Sequence, residues 1–358
     1  MVFVEVPGRI IIYDWSAFKI QVGDVVLDAV ISLSCKRTNT KTVGDCNIIV
    51  ADEYGDLYDS LDYLDEIEIY IQDPDNYYIP NKVWGGWLED VAYMQGKTHQ
   101  LKIAGKEYSS ALFDKLYTND FVAATDLGVI CANIVDDNGT LSSANIPSST
   151  FKELQVNFSK ERHWDALDTV TNLTGFEFGV DLEEVVYLRE VGNAPISPDV
   201  IELSENVKNV SQEAQGKNLV SSVTVQGQDS TITSTSTDDE VAEMYRERQL
   251  YSVVSDATNT GTTGEASLNT LDTQKNLLKR YTVNTLFLPQ TEPNDLIEVT
   301  IEGTELSSDY KVISIEHTIT RKGNIFSQVV LNQGGLDDSD ILSNLLKSYS
   351  KTELKTWQ

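Results

Sequence analysis

Nitrogen and sulfur side chains able to do chemistry are few in this chain, while carboxylates are abundant. Three histidines, His99, His163 and His317, and three cysteines, Cys35, Cys46 and Cys131, are spread over 358 residues. The histidines lie far apart and in different predicted elements, so local spacing assembles neither a metal centre nor a Ser/His/Asp triad. His317 shares strand parity with Ile313, Ile315 and Ile319, which turns it toward the core and a hydrogen-bonding neighbour. His163, beside Trp164 at a helix start, reads as a surface or capping residue. Cys35 and Cys46 can face each other across a hairpin. The odd cysteine count and the lack of a secretory signal favour buried free thiols.

Acidic residues number 56. The series Asp52, Asp56, Asp59, Asp62, Asp65 and Glu66 suggests calcium, but an EF-hand loop needs alternating oxygen ligands, a central glycine and a terminal glutamate. This spacing does not supply them. Leu57, Leu61 and Leu64 sit between the acids and predict a solvated face over a packed one. Asp136-Asp137-Asn138-Gly139 is turn chemistry first. Two suitably separated carboxylates are all that glycoside hydrolysis needs, yet nothing in so acidic a chain singles out a pair. No G-x-S-x-G elbow, H-E-x-x-H or G-x-x-x-x-G-K-[ST] occurs. Gly85-Gly86 and Gly334-Gly335 lack the strand-to-helix setting of a phosphate loop. Trp84, Trp87, Tyr77 and Tyr78 offer rings on which sugars stack, but Trp84 and Trp87 have opposite strand parity. Core or interface packing suits them better. The residues therefore predict no catalytic, cofactor-binding or metal-ligating set.

The formal charge of −29 comes from 27 basic and 56 acidic residues. Such a surface repels phosphate backbones and anionic lipid, which disfavours nucleic-acid and membrane binding. The acids run along the whole chain rather than gathering in a tail, so the charge is a whole-surface property. Two readings stand side by side: adaptation to high salt, as in a halophilic host, where screening tolerates self-repulsion, or simply an acidic soluble surface. No apolar run approaches the roughly 18 residues of a membrane span. The start, MVFVEVPGR, carries neither a basic region nor a cleavable apolar core. The sequence thus points to a chain made and kept in a cytosol, or assembled into something there.

The elements that would position these residues are mostly strands. Ile10–Tyr13, Phe18–Ile20, Val25–Ser34, Cys46–Ala51, Ile67–Ile71, Val83–Tyr93 and His99–Ile103 are strand-like runs, with Gln95-Gly96-Lys97 as a hairpin turn. Their spacing suggests a barrel or sandwich. Helical signals follow: a turn carrying Ala111, Leu112, Lys115 and Leu116, then a helix over Thr125–Ile134 starting at Thr125 or Asp126. Ser142–Ser149 reads as a small-residue loop around Pro147. Phe151–Glu190 organises the rest. Leu154, Val156 and Phe158 alternate as a strand, and Ser159 caps a helix whose second residue is Glu161. Trp164, Leu167, Val170 and Leu173 share that helix's apolar face, and Gly175 ends it. Phe176, Phe178 and Val180 begin a hairpin that turns at Asp181–Glu184 and returns over Val185–Leu188. Pro195 and Pro198 punctuate the exit. Val200–Gln228 is β again, and Gln228–Asp239, QDSTITSTSTDD, reads as a loop or long hairpin tip. Ala266–Tyr281 reads as a helix that makes the second β region discontinuous. Ile297–Ile301, Tyr310–Thr320 and Ile325–Leu331 are strands, with a turn at Lys322-Gly323-Asn324. Asp337–Lys355 is an amphipathic helix carrying Ile341, Leu342, Leu345 and Leu346.

Several of these segments together resemble the hub protein at the tip of tailed-virus tails. VWGGWLEDVAYMQGKTHQLKIAGKEYSSALFDKL resembles that family's Gly-containing strand, hairpin and short helix leaving a first barrel. HWDALDTVTNLTGFEFGVD resembles its strand–helix–hairpin insertion. NVKNVSQEAQGKNLVSSVTVQGQ and NDLIEVTIEGTELSSDYKVISIEHTIT are similar to the segments that open and close a second barrel. The shared order runs from about Val2 to Asn332. The resemblance implies a mainly β chain of two antiparallel β-barrel domains joined by a small strand–helix–hairpin domain. On that division residues 1–108 form the first barrel, 109–196 the α/β insertion, 197–335 the second barrel and 336–358 a C-terminal helix. The second barrel carries a Ser/Thr-rich insertion near 228–280, and its Ser230–Gly264 core lies outside the family pattern. The resemblance further implies a homotrimer whose barrels form a six-fold-like ring capping the tail tube. That ring contacts the tape-measure protein, the distal tail protein and other baseplate or fibre proteins. It belongs to a virion tail tip assembled in the host cytoplasm, and DNA passes its lumen without specific binding. Some relatives carry a lysozyme or peptidase domain after the hub. Here the chain ends in one helix, so the expectation is a structural protein without that activity and without cofactors. A carbohydrate-binding receptor-recognition protein and a glycoside hydrolase acting on host surface glycans are the alternatives.

Overall fold

Period-two alternation of apolar residues dominates the first hundred residues, and the chain pairs there as alternation demands. The computed structural model describes residues 2–332 except 7–8, 14–16, 74–75, 95–98, 151, 175, 191, 203–204, 216–218, 228, 254–259, 275–277, 301–306 and 321–324. β1 (Val2–Val6) and β2 (Arg9–Tyr13) form a two-stranded hairpin. β3 (Phe18–Val22), β4 (Val25–Val26), β5 (Val30–Thr38), β6 (Asp45–Ala51), β7 (Glu66–Asp73), β8 (Asn76–Met94) and β9 (Gln100–Glu107) follow. The predicted run Val25–Ser34 is thus two strands. On β6, Cys46, Ile48 and Val50 point inward while the residues between them do not. Cys35 lies directly opposite Cys46, and both thiols are free, buried and pushed up by that burial.

The middle of the chain is an α/β module. Its elements are α1 (Ala111–Asp114), β10 (Leu116–Asp126), α2 (Leu127–Asn138), β11 (Ser142–Asn145), β12 (Glu153–Arg162), α3 (His163–Thr174), β13 (Phe176–Val180) and β14 (Val185–Glu190). Of the two starts the sequence offers, Thr125 and Asp126, it is Asp126 that caps α2 by accepting the Gly128 N–H, and left-handed Gly139 ends it. Ser159 does not cap α3. It pairs with Thr118 in the β10–β12 ladder, and β12 runs on through Glu161 to Arg162 past a bulge at left-handed Lys160. Cross-strand pairing outcompetes the local capping signal, so the helix begins three residues later than the Ser159 cap predicts. Leu116, expected on a helical turn, is on β10 and exposed. The supposed loop Ser142–Ser149 contains β11, which pairs parallel with β14. Trp164, Leu167 and Val170 are buried together, with Trp164 stacked on Phe113 and packed against Phe178.

β15 (Ile196–Glu202) and β16 (Val207–Gln215) lead into a small satellite of β17 (Ser222–Gln226), β18 (Thr233–Thr237), α4 (Asp239–Tyr245), β19 (Gln249–Val253) and α5 (Thr260–Gln274). β20 (Leu278–Thr285), β21 (Leu296–Thr300), β22 (Ser307–Thr320) and β23 (Ile325–Asn332) then resume the main sheet. The Ser/Thr stretch is a hairpin arm rather than a loop: β18 pairs with β17, and Ser234 and Ser236 bond Thr263 and Ser267 of α5. Small hydroxyl residues line that helix, which disguised its buried face. It sits earlier than predicted, and Lys279–Tyr281 belong to β20, where the Tyr281 ring is buried. The turns at Gln95-Gly96-Lys97 and Lys322-Gly323-Asn324, the helix end at Gly175, the pair Gly334-Gly335 and the helix Asp337–Lys355 lie outside the described residues.

Both β regions belong to one 13-stranded sheet, with main path β16-β20-β23-β22-β5-β6-β9-β8-β7-β3-β4 and β21 and β15 branching from β22. The link is β22 on β5, registered from Ser314 opposite Thr38 to Thr320 opposite Ser32. The described pairings do not close into a ring. The cores follow the link: Phe287, Ile319 and Ile325 from the second region pack with Trp84, Ile48, Ile67 and Leu101 of the first. A second core fills the α/β module around Trp164 and Phe158, and a third lies around Tyr281, Tyr310 and Val312. No helix among the described residues is long and apolar enough to cross a membrane.

Candidate functional site

Polar and charged groups gather where the first β region, the α/β module and the second β region meet. β13 is the edge of its own sheet, whose order is β11-β14-β13, so one side of its backbone lacks a strand. Side chains of the first β region fill that side. Asn39 donates to the Phe178 carbonyl at 2.8 Å and Arg37 to the Val180 carbonyl at 3.4 Å. Residues 178 and 180 present carbonyls on the same edge, so the pleat fixes both donors. Lys82 adds a hydrogen bond to the Leu182 carbonyl at 3.1 Å and an ion pair with Glu68 at 2.7 Å.

On the other side of the hairpin, Glu177 is clamped between two cations. Arg189 Nε donates to its Oε1 at 2.6 Å, and Lys311 Nζ to its Oε2 at 2.5 Å. Glu177 and Arg189 are cross-strand partners on β13 and β14, while Lys311 comes from β22. Glu177 and Lys311 are 6% and 4% exposed. Arg189 also donates to the Asn294 carbonyl at 2.8 Å, and its guanidinium lies 4.8 Å over the Tyr187 ring. Asn294, held left-handed at φ 71°, donates to the Tyr187 hydroxyl at 3.1 Å. Tyr187 can lie there because its cross-strand partner is Gly179, where a Cβ would collide with the phenol.

Arg37 pairs with Glu292 at 3.5 Å and helps line a cavity of about 20 Å³, together with Glu107, Tyr108, Asp181 and Tyr187. That volume suits one water among polar walls. Glu107 accepts from the Gly44 amide at 2.9 Å and the Ser109 hydroxyl at 2.7 Å, and its burial still raises its carboxyl. Asp295 is pushed up to about 7 by burial and by neighbouring Glu292. Gly85 leaves room for the Tyr108 ring, whose hydroxyl donates to Glu66. The junction is a set of interlocked donors and acceptors with no nucleophile–base pair in it. It can hold three units in one geometry.

The residues with chemical potential are placed apart from one another. His317 is buried as its parity predicts. Its Nδ1 meets the Ser327 hydroxyl at 2.9 Å, and that hydroxyl also accepts the Leu288 amide at 3.0 Å. Burial and Arg37 pull the His317 pKa down to about 3. His163 opens α3 but is fully buried rather than a surface residue. It bonds Asp137 at 3.0 Å and the Lys115 carbonyl at 3.2 Å, because the extended β12 carries it under α2. His99 meets Tyr93 at 2.6 Å. Among the described residues no three His, Cys, Asp or Glu side chains converge as metal ligands. Trp84 is buried in the first core and Trp87 packs edge-on against Tyr108 beside the second, so the pair forms no sugar platform. In the acidic loop Leu57 and Leu61 pack inward as expected, but Leu64 is left-handed and exposed.

Glu177, Arg189, Lys311 and Arg37 escape sequence reasoning. For Glu177 and Lys311 the only trace is a charge between apolar neighbours, Phe-Glu-Phe and Tyr-Lys-Val, which ordinarily marks a solvent-facing strand position, and Arg37 and Arg189, in Lys-Arg-Thr and Leu-Arg-Glu, lack even that.

No protein-family model and no curated protein matches the chain. Solved structures do. The 43 kDa tail protein of prophage MuSo2 from Shewanella oneidensis superposes with a TM-score of 0.69 over 88% of this chain and 97% of its own, at 15% identity. A tail protein from Neisseria meningitidis gives 0.66 over 89% and 97%, at 12% identity. Prophage tail protein gp18 from Listeria monocytogenes gives 0.62 over 92% and 98%, at 16% identity. The chain has the fold of phage tail proteins. The similarity extends along nearly the whole tail-protein fold, so the module and both β regions belong to it rather than one part alone. An Escherichia coli protein described as a component of the type VI secretion system, with structural similarity to T4 tail proteins gp27 and gp5, shares the phage-tail fold at a TM-score of 0.57.

Proposed function

We propose that the chain is a structural protein of a virion tail tip, a baseplate hub without catalytic activity. The observation carrying this reading is the near end-to-end similarity to prophage tail proteins. The interlocked junction supports it, because a hub transmitting load needs its modules fixed relative to one another. In this reading each chain supplies two barrel-like β regions, 1–108 and 197–335, joined by the module at 109–196, with 336–358 as a terminal helix. Three copies assemble into a ring in the host cytoplasm, and the neighbouring subunit completes what the single chain leaves open. The ring closes the tail tube and contacts the tape-measure protein, the distal tail protein and other baseplate or fibre proteins. A net charge of −29 gives a lumen that repels DNA phosphates during ejection rather than binding them.

Sedimentation of the full chain over a range of salt concentrations tests the assembly, with the mass of three chains expected. A folded monomer at every salt would overturn the ring. Reconstruction of a virion carrying the chain tests its location, and density for it anywhere but the tail tip would overturn the hub.

A further inference from the structure

The connection from β6 to β7 is rich in carboxylates and tyrosines, and the junction uses only its end, where Glu66 accepts the Tyr108 hydroxyl. β6 and β7 are not neighbours: β9 and β8 lie between them, so the segment crosses the end of the sheet. It is pinned while crossing. Leu57 and Leu61 pack on the first core, and backbone bonds join Leu64 N to Leu88 O at 3.1 Å and Leu88 N to Asp65 O at 2.8 Å. With those leucines as inward anchors, Tyr54 (86% exposed), Tyr58, Tyr63 (72%) and Leu64 are left outside. From Asp52 to Glu66 every ionisable side chain other than tyrosine is a carboxylate, and no Lys, Arg or His occurs anywhere from Thr42 to Asn81.

Asp52, at the root of the loop, supplies an independent observation. It is 6% exposed, and its Oδ1 accepts the Gly55 amide at 3.0 Å. Its Oδ2 meets no donor among the described residues. A buried carboxylate oxygen without a donor is unfavourable, and a segment docking at the root of the loop relieves it once the loop yields to admit an N–H. Exposed phenol rings attract ammonium and guanidinium groups through their faces, and carboxylates take guanidinium in paired hydrogen bonds.

We infer that the Asp52–Glu66 loop is a docking surface for a Lys/Arg-rich segment of another protein, with Tyr54 and Tyr63 as aromatic anchors. Charge complementarity selects this occupant. A second copy of so acidic a chain meets repulsion here, and a lone cation leaves the tyrosines unused.

Fluorescence anisotropy of a labelled oligo-arginine peptide on the full chain tests this, with circular dichroism melts confirming that each variant folds. Asp56→Asn/Asp59→Asn/Asp62→Asn should weaken binding about tenfold at the strength of exposed ion pairs. Removing equal charge from α4, with Asp239→Asn/Glu240→Gln/Glu243→Gln, should change binding by less than about twofold, since α4 belongs to the satellite of β17, β18 and β19 and not to the sheet that carries the anchors. Tyr54→Ser/Tyr63→Ser leaves the charge unchanged and should weaken binding about fivefold through lost cation–π contacts. Equal weakening by the α4 variant would overturn the inference in favour of diffuse charge. So would unchanged binding by the tyrosine variant, or a wild-type self-association that the loop variants abolish.

Discussion

Glu177→Gln is the sharpest perturbation of the junction. The carboxylate serves Lys311 from β22 and Arg189 from β14 at 2.5 and 2.6 Å. Removing its charge leaves Lys311, 4% exposed, facing a neutral amide in a site with little water. Deleting one partner of a buried pair costs about 3–5 kcal/mol. Arg189 is the more exposed cation and regains some hydration, which places the expected loss near the lower figure. At about 2–4 °C per kcal/mol for a domain of 150–250 residues, the melting temperature should fall by about 6–12 °C. Lys311→Met should be milder, about 1–2 kcal/mol, because Glu177 keeps Arg189. Glu177→Leu/Lys311→Met removes the buried pair together and should recover most of the loss. Differential scanning calorimetry of the three variants gives the ordering, and hydrogen exchange of β13 amides reports whether the module loosens first. A Glu177→Gln melt within about 1 °C of wild type, or a double variant worse than Glu177→Gln, would refute the reading that this ion cluster fixes the module.

Trp164→Ala should cost about 3–5 kcal/mol by emptying the space between Phe113 and Phe178. Trp164→Phe should cost less, because Trp164 Nε1 is buried without a partner among the described residues, and urea unfolding distinguishes the two. Asp295 and His317 should tilt the pH profile in opposite directions. Asp295 is raised to about 7, so its contribution is fully present below the unfolded carboxylate range and is lost as pH rises through 7. Asp295→Asn should therefore melt higher than wild type at alkaline pH, with the difference shrinking toward pH 4. His317 is lowered to about 3, so its contribution is present above the ordinary imidazole value and declines as pH falls from there toward 3. His317→Gln should flatten that acid-side decline in melts from pH 7 to 4. Added sodium chloride should raise the melting temperature of a chain with net charge −29 by screening self-repulsion, and a salt-independent melt would argue against a halophilic setting.

Sequence alone determined the local classes. Apolar alternation in Cys46–Ala51 and Tyr310–Thr320 specified strands, Thr125 and Asp126 marked a helix start between them, and the parity of His317 placed it inside. The poverty of histidine and cysteine narrowed the metal and triad chemistry the sequence could offer. Tertiary structure decided whatever depends on residues distant in the chain. Ser159 has a capping residue's chemistry, yet pairing with Thr118 kept it in a strand and carried His163 into the interior. The Ser/Thr arm near residue 233 has no apolar period, because its partners on α5 are hydroxyls rather than methyls. Above all, nothing local distinguishes Glu177 or Lys311 from a solvent-facing charge on a strand. Lys311 is tolerable inside because Glu177 meets it from 134 residues away, and a buried charge is stable only where its counter-charge meets it.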